Sequence, residues 1–284
     1  MGTITTFETL RPHLMAVAYR MLGSAADAED AVQDAWLRWR EVDEAGIVTP
    51  KAWLSTTLGR ICLDRLTSAY ARRKTYVGPW LPEPVATLEP LDTESISHAF
   101  LFVLERLSPL ERVVFILHRV FDYSHGEIAE AIGSTDAAVR QAFHRAQQHV
   151  SEARPRFAVD RGAHERLLRG FLGAVSRGDV QAISDMLVED ATLYGDGGGK
   201  VRGAALKPVH GRSAIARFFV GITTKFLSTD DYRFDVRLIN GWPACVIENR
   251  DGAFAVIQIE TDGEHIFAVR NVLNPDKLKM PRVD

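Results

Sequence analysis

Arg140, Gln141, His144 and Arg145 stand close together, and at helical spacing they share one face. The opposite face carries Val139, Phe143, Ala146 and Val150. Arginine can pair bidentately with guanine and glutamine with adenine in a major groove. These residue types in this order therefore suit the reading of base edges. A second basic group, Arg60, Arg65, Arg72 and Arg73, follows Pro50. An acidic group, Asp27, Glu29, Asp30 and Asp34, precedes it. The acidic set would repel DNA and suits a basic protein partner.

The elements that must position these groups are helical. Ser108-Pro109-Leu110-Glu111 has serine at the N-cap, proline at the first helical position and glutamate two further on, a strong helix start. Ser124-His125-Gly126-Glu127 repeats the capping pattern. Gly133 supplies a turn, and Ser134 or Thr135 can cap the next helix. A short helix, a glycine turn and a longer helix over 108–150 predict a helix-turn-helix. Upstream, Phe7, Leu10, Leu14, Val17 and Met21 recur at helical period. Ala28, Ala31, Val32, Ala35, Trp36 and Trp39 form the inner face of a second helix, and Trp53, Leu54, Thr57, Leu58, Ile61 and Leu66 that of a third, starting after Pro50.

Pro79, Pro82, Pro84 and Pro90 make 76–94 an extended linker. The expected domains are 1–75, a helical bundle; 95–156, the helix-turn-helix; and 160–284, an α+β domain with a tail. In the last, helices are expected near 163–177, 179–188 and 212–226. Strand-like runs follow over 232–239, 244–248, 253–260 and 265–272. Asn240-Gly241, Asp251-Gly252 and Asp262-Gly263 are hairpin signals between them, so the sheet is expected to be antiparallel.

The bulk numbers narrow the function classes. The 284 residues suggest two or three domains. The net charge of -3 means that any nucleic-acid surface comes from local clustering. Two distant cysteines, Cys62 and Cys245, support neither a disulfide framework nor a zinc site. No cofactor or metal is implied. The N-terminal residues do not read as a signal peptide, and no run approaches the length of a membrane span. A cytoplasmic protein without membrane contact is expected.

Taken together, the motifs resemble the extracytoplasmic-function sigma factors of RNA polymerase. Ala26-Asp27-Ala28-Glu29-Asp30-Ala31-Val32-Gln33-Asp34-Ala35-Trp36 looks like region 2.2, which implies docking of Asp27, Glu29, Asp30 and Asp34 on the β′ clamp helices of the core enzyme. The stretch from Ala52-Trp53-Leu54 to Arg73 resembles the part that melts and reads the −10 element, assigning Arg60, Arg65, Arg72 and Arg73 to promoter DNA. Leu107 through Gln147 resembles region 4, which reads the −35 element with Arg140, Gln141, His144 and Arg145 and meets the β flap. No stretch resembles region 1.1 or region 3. Residues 163–273 look like a SnoaL-like domain of the NTF2-like fold.

Three further segments resemble the sigma-J-type subgroup: Trp80-Leu81-Pro82, the run from Asp196 through three glycines to Lys200, and Asn274-Pro275-Asp276-Lys277-Leu278. In that subgroup the fused domain is thought to act in cis on the sigma core. The glycine run lacks phosphate-loop spacing and has Val201 where Ser or Thr would be needed, so a glycine-rich turn is expected there. The cone of such a domain is also a candidate pocket for a small apolar ligand, which the sequence does not identify. Two other readings stand beside this one. The first is a one-component regulator that binds ligand and DNA without polymerase. The second is an isomerase or cyclase using Asp196, His210 or Asp235.

Overall fold

The computed structural model describes residues 3–43, 46–73, 75–86, 98–153, 159–226 and 232–278. The chain forms two compact units: Met1–Lys74 with Leu101–Arg154, and Thr75–Phe100 with Pro155–Asp284.

The first unit is helical. Helices α1 (Thr3–Leu22), α2 (Ala25–Arg40) and α3 (Pro50–Arg73) pack on one another. Alanines at 28, 31 and 35 are fully buried, and their small side chains let α2 lie close to its neighbours. Trp39 is buried beside Trp53, with ring centroids 5.4 Å apart. Ser24 caps α2 by accepting from the Asp27 amide at 3.2 Å. Beyond α4 (His98–Leu104), helices α5 (Pro109–Phe121), α6 (His125–Ile132) and α7 (Asp136–Ala153) form a second packed set. The two sets are joined, because α3 packs against both α5 and α6, and α1 against α5. Gly59 permits a close approach: a Cβ there would lie 3.3 Å from Leu117 Cδ1.

The second unit is α+β. Helices α8 (Arg161–Arg177), α9 (Val180–Met186) and α10 (Arg212–Phe226) accompany a six-stranded sheet. Its strands are β1 (Leu187–Asp196), β2 (Val209–His210), β3 (Arg233–Ile239), β4 (Trp242–Asn249), β5 (Gly252–Thr261) and β6 (Ile266–Val272), in the order β2-β1-β6-β5-β4-β3. Leu168 and Phe171 of α8 and Ile215 and Phe219 of α10 share a core with Leu193, Cys245, Ile257 and Val269 of the sheet. Asn240 and Gly241 have φ of 53° and 76°, the left-handed pair that a tight β3–β4 hairpin needs.

Two sequence expectations are corrected here. The sheet is mixed, because β1 runs parallel to β6. The expected helix to residue 188 ends at Met186, and 187–196 is a strand. Between Leu187 and Thr192 the register against β6 shifts, and Glu189 and Asp190 are exposed there. This irregularity interrupts the period-two alternation by which a strand is read.

Residues 75–86 are docked, not free. Leu81 is fully buried, Val85 and Asn240 exchange hydrogen bonds, and Ala86 bridges Ile239 antiparallel. Residues 87–94 of the expected linker lie outside the described residues.

Candidate nucleic-acid interface and linker–tail contact

The helix-turn-helix is built by its caps. Ser108 and Glu111 complete one capping box, Ser124 and Glu127 another. Gly133 closes α6 at φ 66°, and of the two candidate caps it is Thr135 whose hydroxyl accepts from the Ala138 amide at 3.2 Å. Val139, Ala142, Ala146 and Val150 of α7 are buried. The His118, His125 and Phe143 rings pack together between α5, α6 and α7, the two imidazoles stacked at 4.4 Å. Burial first, then the charges of His118 and Arg140, lower the His125 pKa.

That packing leaves Arg140, Gln141, His144 and Arg145 exposed on the outer face of α7. Two of them are already paired within the protein. Arg140 makes a bidentate contact with Asp136 one turn back, at 2.7 and 3.0 Å. Arg145 Nε donates to Glu111 at 2.7 Å. Glu111 therefore caps α5 and also steers Arg145.

Burial alone would raise the Glu111 pKa, but the hydrogen bonds from Arg145 and Ser108 outweigh it and hold the carboxylate below its usual range. A carboxylate lowered in the folded state adds stability above its unfolded pKa and loses it as pH falls through the folded value. Acidification below about pH 4.5 should therefore loosen α5 and free Arg145. Helical circular dichroism over that window checks this, with Glu111→Gln expected to flatten the acid limb at the cost of lower stability at neutral pH.

The first three helices bring opposite charges together. Arg65 donates to Asp34 at 2.7 Å and lies 3.9 Å from Asp30. Asp27 and Glu29 are exposed on the same helix, α2. Arg60 donates to the backbone carbonyls of Ala131 and Glu130, the latter at 2.9 Å, at the end of α6. In this arrangement the Arg60 guanidinium is therefore committed to the helix-turn-helix. Arg72 and Arg73 end α3, and their side chains lie outside the described residues. A further joint was not read from sequence: Arg112, fully buried, pairs with Glu105 at 2.8 Å and donates to the Arg20 carbonyl of α1.

In the second unit the three subgroup segments meet around one carboxylate. Asp196, at the end of β1, is fully buried. One of its side-chain oxygens accepts from the Tyr76 hydroxyl. The other accepts from the Leu81 amide at 2.8 Å and the Lys277 ammonium at 2.7 Å. Its backbone carbonyl accepts from the Leu273 and Asn274 amides. The Lys277 ammonium also donates to the Leu81 carbonyl and stands 3.3 Å from the Trp80 ring centroid. Asn274 Nδ2 donates to the Tyr76 hydroxyl at 2.9 Å. Asn274 also caps the 3-10 turn Pro275–Lys277, and Leu278 is buried.

The glycine run belongs to this contact. Gly197–Lys200 is a turn, as expected. A Cβ on Gly198 would lie 2.7 Å from Asn274 Nδ2, and one on Gly199 would lie 3.0 Å from Val77 Cβ. Both glycines also have positive φ. They let the linker and tail approach the turn closely. Lys200 pairs with Asp276 in the open, at 2.5 Å.

Tyr76 was missed by sequence reading. Burial, then its bond to Asp196, pushes its phenol well above the usual pKa, so it remains a donor. The catalytic candidates do not converge. Asp196 is enclosed by linker and tail. His210, on β2, meets Thr192 at one sheet edge, and Asp235 pairs with Arg237 on β3 at the other. Among the described residues no cluster of His, Cys, Asp and Glu could hold a metal ion, and no helix is long and apolar enough to cross a membrane.

Comparison with known proteins gives a match to Sigma-70 region 2 over residues 6–72 and to Sigma-70 region 4 over residues 97–150. The chain is 37% identical to the ECF RNA polymerase sigma factor SigJ of Mycobacterium tuberculosis, over 96% of this chain and 92% of that one. It is 35% identical to the probable ECF RNA polymerase sigma factor SigI of the same organism, over 62% of this chain and 64% of that one. The crystal structure of SigJ superimposes with a TM-score of 0.76 at 35% identity, covering 96% of this chain and 97% of that chain.

Proposed function

From the premise that this chain belongs to the extracytoplasmic-function RNA polymerase sigma factors, with an NTF2-like domain behind regions 2 and 4, we propose how its surfaces divide the work. Asp27, Glu29, Asp30 and Asp34 on α2 engage the β′ clamp helices of core polymerase. Arg60, Arg65, Arg72 and Arg73 on α3 serve the −10 element. The α7 face serves the −35 element, and its own domain meets the β flap. The second unit is a docking module, not an enzyme, and it regulates the sigma core in cis through the contact of Trp80, Leu81 and Pro82 with Asp196, Lys200 and Asn274–Leu278.

The observation that carries this is one helical unit bearing both an acidic α2 surface and a capped helix-turn-helix with Arg140, Gln141 and His144 outermost. A one-component regulator would leave the acidic surface without a role. Charge reversal at Glu29, Asp30 and Asp34 tests the assignment. Core-polymerase affinity should fall by far more than stability does, since the one ion pair lost, Arg65 with Asp34 and Asp30, is itself partly exposed. Unchanged affinity would overturn the docking assignment.

Arg140→Ala should weaken binding to a matched −35 element by about five- to hundredfold and relax discrimination at one base pair. Arg145 is tethered to Glu111, so its loss should weaken binding to all sequences and flatten the salt dependence. Affinities across a panel of −35 variants at two salt concentrations separate the two behaviours.

A further inference from the structure

Lys277 is a buried lysine whose ammonium donates to the Asp196 carboxylate at 2.7 Å and to the Leu81 carbonyl, and stands 3.3 Å from the Trp80 ring centroid. The Tyr76 ring stands 5.5 Å away on another side. An anion, a carbonyl and two aromatic faces in a desolvated setting match the needs of an ammonium ion. The walls come from β1 and the linker, whereas the occupant comes from the tail. The site and its ligand are thus separate parts of one chain.

We propose that Trp80, Tyr76, Asp196 and the Leu81 carbonyl form a binding site for primary alkylammonium groups, filled in cis by Lys277 and open to a free alkylamine once that side chain is removed. The tether keeps the effective concentration of Lys277 in the millimolar range for a short flexible link, so a free amine competes poorly with the intact tail. The site selects for a primary ammonium. A quaternary ammonium keeps the cation–π attraction but has no N–H for Asp196 or Leu81, and should bind at least about tenfold more weakly. A carboxylate would face Asp196 and be repelled. Only the consequence for transcription rests on the cis-regulatory reading.

The test is chemical rescue in the full chain. Lys277→Ala removes the atoms that n-propylammonium replaces. The variant should show a lowered unfolding temperature and faster proteolysis within 75–86. n-Propylammonium chloride should restore both, with saturation, whereas tetramethylammonium chloride and sodium propionate should not. Adding Trp80→Ala to the variant should abolish the rescue. Should Lys277→Ala fail to fold alone, refolding it in n-propylammonium chloride against tetramethylammonium chloride and sodium chloride reads the same rescue. Rescue equal among all salts, or absent throughout, overturns the site. Neither readout contains polymerase. Specific rescue without any change in transcription would instead overturn the regulatory reading and leave the site standing.

Discussion

Replacing Asp196 by alanine should destabilise the second unit by about 3–5 kcal/mol, the usual consequence of removing one partner of a buried ion pair. Lys277 would remain buried without its counter-ion, and the Tyr76 hydroxyl and Leu81 amide would lose their acceptor. Asp196→Asn should be milder for the two neutral donors but should leave the ammonium uncompensated. The solvent-exposed pair between Lys200 and Asp276 should matter far less, below about 1 kcal/mol. Denaturant unfolding of the full chain with Asp196→Ala and Lys200→Ala in parallel checks the contrast. Protease cleavage within 75–86 should rise in the first variant only. Equal small effects would mean that linker and tail do not depend on the carboxylate. Under the cis-regulatory reading, promoter-dependent transcription should change with Asp196→Ala.

The second large effect concerns the helical unit. The −35 and −10 elements are about 25 base pairs apart, or ~85 Å along B-DNA at ~3.4 Å per pair. A compact unit of about 130 residues has a radius of gyration near ~14 Å and is roughly 36 Å across. If α3 serves the −10 element and α7 the −35 element, as proposed, the two cannot reach both elements as packed, and promoter binding with polymerase requires α1–α3 to part from α5–α7. The contacts given up include the Arg60 bonds to the Ala131 and Glu130 carbonyls, the Gly59–Leu117 approach, the His13–Phe121 ring contact and the Arg112 bond to the Arg20 carbonyl. The Arg112–Glu105 pair lies wholly within the second set and stays closed. Opening also frees Arg60 for DNA. Labels on the exposed residues Gln33 of α2 and Gln147 of α7 should lie within the compact unit in the free chain. Their separation should at least double in the polymerase–promoter complex. An unchanged distance would rule out the two-element assignment.

Local signals were legible wherever the chemistry is local. Both capping boxes, the Gly133 turn and the Asn240-Gly241 hairpin depend on residues within a few positions, and each stands where its motif does. β1 was not legible, because its irregularity puts Glu189 and Asp190 where alternation should continue. The basic residues of α3 were legible as a face but not as partners. Periodicity says which way Arg60 and Arg65 point, not that the α6 carbonyls and Asp34 wait there. Arg112 escaped notice for the opposite reason: a charged residue on an amphipathic helix is ordinarily exposed, and only tertiary packing seals it against Glu105. Tyr76 carries no pattern of its own. Its role exists because two segments distant in sequence converge on its hydroxyl.

The most direct measurement of the central claim is run-off transcription with purified core polymerase, this chain and a matched promoter. A chain-dependent transcript is expected, lost on charge reversal at Glu29, Asp30 and Asp34 and strongly reduced by Arg140→Ala. Specific retention of the DNA by the chain alone, with no transcript when polymerase is added, would contradict it.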